Sequence, residues 1–314
     1  MSGLRNEISL PGYIANMVIT KLIGGLGNQM FQYATGRSLA LANGCEVKLD
    51  ISAFDRYVIH SGYALGAFNI VASIASAAEV KKLAGSTRNI PRIIFRKLGV
   101  RRKSYFCERG FNFDPALLDR LAPVYLEGYW QSYKYFDKFS SQIRSELTLS
   151  QPPLGKNAEL AQDIALENSV SVHIRRGDYL SNPAANRVHG FVGLTYYKLA
   201  LDCISSQIDS PHFFVFSDDL TWAQENLKFP GKVTFVDHNF GLAAHEDLRL
   251  MSLCKHHVIA NSSFSWWAAW LGWMPGKKVF YPANWFSSKL HDVCLLYTSP
   301  SPRDRSLSRM PSSA

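Results

Sequence analysis

The chain has 314 residues, 47% of them hydrophobic and 19% charged, which is typical of a globular protein long enough for about two domains. The hydrophobic runs over 18–23 and 169–174 are shorter than the ~20 residues that a membrane-spanning helix needs. Residues 1–16 lack the pattern of a signal peptide. The five cysteines are widely separated, and the adjacent His256 and His257 point apart on any regular element. These features predict a cytoplasmic protein with no metal site.

The positive charge is concentrated in one segment. The formal net charge is +9, and residues 81–103 contain nine Lys or Arg and no acid, so the rest of the chain sums to zero. Apolar residues alternate with these bases, which suits peripheral contact with an anionic membrane as well as a solvated face over a buried stripe. No nucleic-acid-binding pattern accompanies the segment, and no nucleic acid is predicted as a partner. A non-enzymatic binder of polyanions or carbohydrate through 81–103 is one alternative.

The predicted elements begin with a βαβ unit. A strand over 17–23 leads through a Gly-rich turn to a helix over 30–43 and a strand over 46–52, which indicates a parallel sheet with crossover helices. Aromatic-rich short elements follow over 105–150. Pro152 and Pro153 mark the predicted linker.

The second half repeats this alternation of strands and helices. A helix over 158–168 precedes a strand that begins at Ser169, and further strands are predicted over 212–219 and 232–238. Helical stretches alternate with them over 194–208, 220–227, 243–254 and 263–272. The last twenty residues change abruptly to Ser, Pro and Arg, which predicts a disordered or foreign tail over 295–314.

The first turn matches part of a dinucleotide-binding fingerprint. Gly25 and Gly27 follow a strand, and Asp50 ends the next strand, as in Rossmann proteins that bind NAD. The third glycine of that pattern is replaced by Met30. An NAD(P)-linked oxidoreductase is therefore a second alternative.

A basic motif follows the strand of the second half. His173, Arg175, Arg176 and Asp178 fall at the carboxyl edge of a parallel sheet, where open α/β folds bind ligands. Two arginines there predict an anion site. Because side chains alternate along a strand, one arginine is expected to face the cleft and the other to pair inward, with Asp178 as a partner. A purely structural Arg–Asp network is the alternative.

Two further turns carry polar groups. Asp218 and Asp219 end a strand and fit either hydrogen bonds to a nucleoside or helix N-caps. The Asn-Ser-Ser turn at 261–263 precedes an apolar helix, so its N–H groups and hydroxyls suit a phosphate. The three tryptophans of that helix are predicted to be core residues because they continue its apolar face: Trp266, Trp267 and Trp270.

Six blocks in order resemble the α-1,2-fucosyltransferases of glycosyltransferase family 11, over about residues 17–290: GGLGNQMFQYA, GYWQSYKYF, HIRRGDY, FSDDLTW, HEDLRLMS and NSSFSWWAAWLG. The resemblance implies an α/β fold of GT-B type, with two Rossmann-like domains that face each other across a cleft. It also implies GDP-L-fucose as donor, a galactose-terminated glycan as acceptor, inversion at the anomeric carbon, and no metal or other cofactor.

Carried onto this chain, the resemblance implies an N-terminal extension over 1–16, an acceptor-side domain over 17–152 and a donor-side domain over 153–294. Catalytic roles fall to Arg175 on the diphosphate, to Asn28 reaching across the cleft, and to Asp178 holding the motif. The remaining residues are expected to bind the substrate: His173, Arg176, Gly25, Gly27, Asp218, Asp219, Ser262, Ser263 and Phe264.

The base that accepts the proton of the acceptor hydroxyl is not identified by the sequence. Asp178, His189, Glu246 and Asp247 are the candidates, and each also fits an orienting or capping role. The chain departs from the family after residue 292, where the predicted tail replaces a further acidic and aromatic segment.

Overall fold

The computed structural model describes residues 16–55, 62–85, 103–176, 192–283 and 285. A five-stranded sheet forms the first half, and all its strand pairs are parallel. Its strands are β1 (Met17–Lys21), β2 (Glu46–Asp50), β3 (Ser73–Ile74), β4 (Tyr105–Cys107) and β5 (Val124–Glu127), in the order β3-β2-β1-β5-β4. The helices are α1 (Leu26–Ala42), α2 (Ala77–Ala84) and α3 (Ser140–Glu146), with short 3-10 turns at Leu65–Ala67, Pro115–Leu117, Tyr133–Tyr135 and Asp137–Phe139.

A second parallel five-stranded sheet forms the other half. Its strands are β6 (Asn168–Ile174), β7 (Pro211–Ser217), β8 (Lys232–Phe235), β9 (His256–Val258) and β10 (Val279–Phe280), in the order β10-β9-β6-β7-β8. The helices are α4 (Lys156–Leu166), α5 (Leu194–Ser205), α6 (Leu220–Asn226), α7 (Ala244–Leu253) and α8 (Ser263–Leu271), with a 3-10 turn at Gly241–Ala243.

Both strand orders are those of doubly wound sheets. The strand order reverses between β1 and β5 in the first sheet and between β6 and β9 in the second, and ligands bind at the carboxyl ends of strands at such points. The fold class predicted from sequence, α/β with two Rossmann-like units across a cleft, is confirmed by this topology. The domain boundary near Pro152 stays a prediction.

One hydrophobic core joins the two halves. Phe31 of α1 packs against Trp266 and Trp267 of α8, with ring centroids 4.6 and 4.9 Å apart. Phe136 stacks on Trp267 at 5.4 Å. These rings are fully buried, as is most of Trp270, so the prediction that the tryptophans are core residues is confirmed. The floor of the cleft is therefore a packed junction between the sheets.

The first helix begins earlier than the sequence predicted. The turn was expected to extend through Gln29, whereas α1 starts at Leu26 with Gly25 as its N-cap. Asn28 and Gln29 consequently lie in the first turn of the helix, where their side chains contact the surrounding loops. Across the described part of the chain, every helix is too short or too polar to cross a bilayer.

Candidate active site

A cavity of about 1000 Å³ lies where the two sheets face each other. Its walls come from the loops after β1, β2, β4 and β5 on one side and after β6, β7, β8 and β9 on the other. The Arg, Asp and His side chains among its described lining residues all belong to the second sheet's half: His173, Arg175, Asp218, His245 and Asp247. The wall from the first half is uncharged. The cavity therefore presents one polar, charged face and one largely apolar face.

The two arginines of the basic motif point in different directions, as strand alternation predicted. Arg175 lines the cavity, and its Nε lies 3.3 Å from Oδ2 of Asp218. Arg176 is outside the cavity lining, where an Nη atom pairs with Oδ2 of Asp219 at 2.7 Å and the guanidinium covers the ring of Trp222. The inward partner in the described structure is thus Asp219, while Asp178 lies outside the described residues.

The two aspartates after β7 have separate tasks. Asp218 lines the cavity and accepts a hydrogen bond from the backbone N–H of Arg176 at 2.8 Å, which ties the ends of β6 and β7 together. Asp219 is the N-cap of α6, because its side chain accepts from the N–H of Trp222. It is absent from the described lining of the cavity. Of the two roles predicted for these aspartates, Asp219 has that of a helix N-cap, whereas Asp218 faces the cleft.

His173 is a neutral group in the cavity wall. It is buried, and its ring lies 5.6 Å from that of Phe264. Burial, and after it the charge of Arg175, lowers the pKa of His173 to about 3. The ring is uncharged at physiological pH and cannot act as a cation there, but it remains able to exchange hydrogen bonds with a ligand.

Two helices direct their N-termini at the same part of the cleft. A Cβ on Gly27 would lie only 2.5 Å from the backbone nitrogen of Phe264, so α1 and α8 approach each other more closely than any side chain at position 27 permits. The indole N–H of Trp267 donates to the carbonyl of Gly27 at 2.9 Å and fixes this approach. Helix α1 starts without a side-chain cap, because Gly25 has no side chain. Positive dipole ends and N–H groups from both halves therefore converge.

Asn28 sits between the two halves. Its Oδ1 accepts from Nε2 of Gln131 at 2.8 Å and from the hydroxyl of Ser263 at 2.9 Å. These donors hold the oxygen, so the amide Nδ2, with two N–H groups, is the atom left to face a ligand. The side chain thereby connects α1, the loop after β5 and the start of α8.

Most of the predicted site residues share this cavity. Its described lining includes Gly25, Gly27, Asn28, His173, Arg175, Asp218, Ser262, Ser263 and Phe264. Among the base candidates, Asp178 and His189 lie outside the described residues, and Glu246 does not line the cavity but lies 3.4 Å from Nε of Arg249. Asp247 does line it. The basic segment 81–103 falls outside the described residues except at its two ends.

Asp247 and Asn239 form a polar pair whose arrangement the sequence did not reveal. Nδ2 of Asn239 donates to Oδ1 of Asp247 at 2.8 Å, near the carboxyl end of β8. Burial is the main cause that raises the pKa of Asp247 to about 7, and the nearby charge of Glu246 adds to it. The two residues are eight positions apart on different elements, so only the folded chain brings them together.

The dinucleotide-binding alternative has no support in this geometry. Met30, at the position of the third glycine, is fully buried. Asp50 is also buried and accepts from the hydroxyl of Tyr125 at 2.5 Å, so it is not available to a ribose in the cleft. In the described ranges, no cluster of three or more His, Cys, Asp or Glu is arranged to hold a metal ion.

The family model for glycosyl transferase family 11 matches residues 7–292. The chain belongs to glycosyl transferase family 11. This family-11 glycosyltransferase is 33% identical over 282 residues to an alpha-1,2-colitosyltransferase of Escherichia coli, a match that covers 86% of this chain and 93% of the relative. It is 30% identical over 270 residues to galactoside alpha-(1,2)-fucosyltransferase 1 of Lagothrix lagotricha, covering 83% of this chain and 66% of that protein.

Among solved structures, the glycosyltransferase is similar to the fucosyltransferase NodZ from Bradyrhizobium, with a TM-score of 0.49 and 17% identity over 82% of this chain and 94% of that one.

Proposed function

We propose that this glycosyltransferase moves L-fucose from GDP-β-L-fucose to the 2-hydroxyl of a terminal galactose, with inversion and without a metal ion. The observation that carries the proposal is the convergence of Arg175 with the N-termini of α1 and α8 in the cavity of a family-11 glycosyltransferase. The names of the two relatives, an alpha-1,2-colitosyltransferase and a galactoside alpha-(1,2)-fucosyltransferase, support the linkage.

The chemistry requires positive charge at the leaving group. In the proposed step, O2 of galactose bonds to C1 of fucose and its proton passes to a general base or to a phosphate oxygen of the donor. The bond from C1 to the β-phosphate oxygen breaks, and the electron pair of that bond leaves with GDP. Negative charge therefore grows on the diphosphate as the sugar becomes oxocarbenium-like. The Arg175 guanidinium and the two helix N-termini supply fixed donors for that charge, in the place where a divalent cation would otherwise act.

The nucleoside is best placed along the ends of β7 and β8. Asp218 already pairs with Arg175, so the carboxylate available to a base is Asp247, beside Asn239. Guanine presents adjacent N–H donors on its Watson–Crick edge, and a carboxylate is their natural acceptor. With the base beside the outer strand β8, the diphosphate would extend to the reversal between β6 and β9, where ligands bind in such sheets.

A close variant of the donor is the second candidate. Colitose is fucose without its 3-hydroxyl, and the relative with 33% identity is named a colitosyltransferase. The two donors share the nucleotide and the ring, so the diphosphate site described here serves both. Only groups around carbon 3 distinguish them.

The test is turnover of each donor with lactose as acceptor, followed by linkage analysis of the product. We expect GDP release with GDP-fucose, an α-1,2 linkage, and the same rate in EDTA. Failure to bind GDP or to release it from either donor overturns the proposal. Loss of turnover in EDTA overturns its metal independence, and faster transfer of colitose would select the second candidate.

A further inference from the structure

The first-half wall of the cavity carries three aromatic rings that the donor chemistry does not use. Tyr63, Phe111 and Tyr129 all line it, and the rings of Phe111 and Tyr129 stack with centroids 6.4 Å apart and planes tilted by 29°. All three side chains are half-buried. They face the charged wall that holds Arg175 and Asp218. A nucleoside diphosphate belongs on the charged wall, so this aromatic wall fits an uncharged ligand.

The aromatic wall is rigidly supported. The Glu108 carboxylate accepts from the backbone N–H of Tyr129 at 2.7 Å and of Trp130 at 3.0 Å. Trp130 adopts a φ of +56°, which is rare for a bulky residue, and its ring is fully buried. A Cβ on Gly128 would lie 2.5 Å from Cβ of Glu108, so only glycine there admits the carboxylate. Such unusual backbone conformations persist where the surrounding structure fixes them, often at binding sites.

The loop that carries Tyr63 is fixed by α1. Nε2 of Gln29 donates to the carbonyl of Gly62 at 2.9 Å, and its Oε1 accepts from the N–H of Ala64 at 2.9 Å. The fully buried Gln29 therefore binds both peptide groups around Tyr63. The neighbouring Asn28 binds Gln131, which lines the same wall. The first turn of α1, which carries Asn28 and Gln29, therefore supports the aromatic wall and also contacts the start of α8.

We propose that Tyr63, Phe111 and Tyr129 form the acceptor subsite and bind the apolar face of a neutral galactose-type pyranose, with the Gln131 amide at its edge. This inference rests on the proposed function. A galactose ring has an axial 4-hydroxyl, so C–H groups at carbons 3, 4 and 5 form one continuous apolar patch. Aromatic rings bury such a patch favourably, because their faces are apolar and carry partial negative charge. Glu108 acts as a positioning residue through the Tyr129 loop.

The first test is Tyr129→Leu, which keeps much of the volume and removes the ring. We expect the KM for lactose to rise about tenfold or more, as for loss of an aromatic contact at a binding centre, while the calorimetric affinity for GDP is unchanged. Tyr129→Phe keeps the ring and should restore most of the affinity for lactose that Tyr129→Leu loses. Trp273→Leu is the matched control, because Trp273 is 63% exposed and outside the cavity lining.

A second measurement follows the ligand directly. In saturation-transfer NMR of the GDP complex with lactose, we expect the strongest transfer to H3, H4 and H5 of galactose, and its loss in Tyr129→Leu. An unchanged KM for lactose, or saturation spread evenly over the sugar, overturns the acceptor subsite while GDP binding and turnover leave the proposed function standing. Weaker GDP binding by Tyr129→Leu also overturns it, because the wall would then belong to the nucleotide.

The positioning role of Glu108 has its own readout. Glu108→Gln retains one oxygen acceptor, so the fold should persist while one of the two loop N–H groups loses its bond. We expect a higher KM for lactose with little change in kcat or in GDP affinity. A fall in kcat at unchanged KM would contradict a positioning role.

Discussion

Arg175 is the side chain on which the proposed chemistry depends most. Its guanidinium lies in the cavity wall, 3.3 Å from a carboxylate oxygen of Asp218, so it is oriented before the donor arrives. A donor group that is already fixed stabilises growing charge without reorganising. The neighbouring Arg176 has a different use, since it ties the end of β6 to the N-cap of α6.

We expect Arg175→Ala to lower kcat by about 10²- to 10³-fold, which is the usual cost of removing one donor to a developing oxyanion, about 2.7–4 kcal/mol. The measurement is steady-state turnover of GDP-fucose with lactose. Lys232→Ala is the control, because this side chain is 63% exposed at the N-terminal end of β8, where it pairs with surface Glu167. An equal loss of activity in both variants would contradict the assignment.

Asp247 is expected to make donor binding depend on pH. Burial raises its pKa to about 7, so the carboxylate that we propose accepts from guanine becomes protonated as the pH falls below that value. Titration calorimetry should show GDP affinity falling by up to about tenfold per pH unit below 7. Asp247→Asn should bind GDP more weakly at pH 8 and show a flatter pH profile.

Asp247 should also make the stability of the free protein depend on pH, in the opposite direction to its effect on GDP binding. A raised pKa means that the ionised carboxylate is less stable in the folded protein than in the unfolded chain. The stability of the free protein should therefore fall as the pH rises from about 4 through 7. Asp247→Asn should therefore raise Tm more at pH 8 than at pH 5. Asp237→Asn is the control, since Asp237 is exposed and paired with Lys156. Identical pH profiles for Asp247→Asn and the unmodified protein would contradict the assignment.

At the scale of elements, the contact between α1 and α8 holds the two halves at a fixed distance. Gly27→Ala introduces a Cβ 2.5 Å from the nitrogen of Phe264 and 2.6 Å from the carbonyl carbon of Ser263. Because both are backbone atoms, the helices must separate, which costs about 1–3 kcal/mol in overpacked sites. We expect a Tm lower by several degrees and reduced kcat. Gly110→Ala, where a Cβ meets no atom within 4 Å, should change neither.

The opposite end of α8 is stabilised by cations. Arg144 of α3 donates to the carbonyls of Trp270 and Leu271, and its guanidinium lies 3.8 Å from the centre of the Trp270 ring. Lys277 donates to the carbonyls of Ala269 and Gly272. Burial lowers the pKa of Arg144 to about 10 and that of Lys277 to about 8, so the positive charges are largely desolvated. They complement the negative end of the helix dipole.

We expect Arg144→Met to destabilise the protein by about 2 kcal/mol, because the variant loses charged hydrogen bonds and a desolvated cation–π contact. The measurement is chemical denaturation at pH 7. An unchanged midpoint and slope would show that the contact contributes nothing to joining the halves.

For the whole molecule, local patterns predicted the sheets but not the contacts between them. The βαβ opening and the basic motif after β6 indicated parallel sheets and an anion site at a strand edge. The strand pairing confirms the parallel sheets, and the anion site stays a prediction. The pairing of Arg176 with Asp219 joins residues 43 positions apart that follow two different strands, so no local spacing indicated it. No local spacing indicated the aromatic wall either, because its three rings come from three separate loops. Side-chain direction at strand ends depends on neighbours that only folding supplies.

The shared aromatic core limits how far the two halves can move apart. Phe31, Trp266 and Trp267 are fully buried between the sheets, so the two halves cannot separate at the cleft floor without exposing large aromatic surfaces. The sequence predicted the tryptophans as core residues of one helix, but the partner from the other half became evident only in the fold. The cleft is therefore expected to be largely formed before substrates bind.

We propose that fixed donors of this chain, Arg175 and the N-termini of α1 and α8, hold the departing diphosphate. The most direct measurement is a crystal structure of the complex with GDP, grown in EDTA. We expect phosphate oxygens within hydrogen-bond distance of the Arg175 guanidinium and of backbone N–H groups in the first turns of both helices. A diphosphate bound elsewhere in the cavity, with Arg175 still facing Asp218 alone, would contradict it.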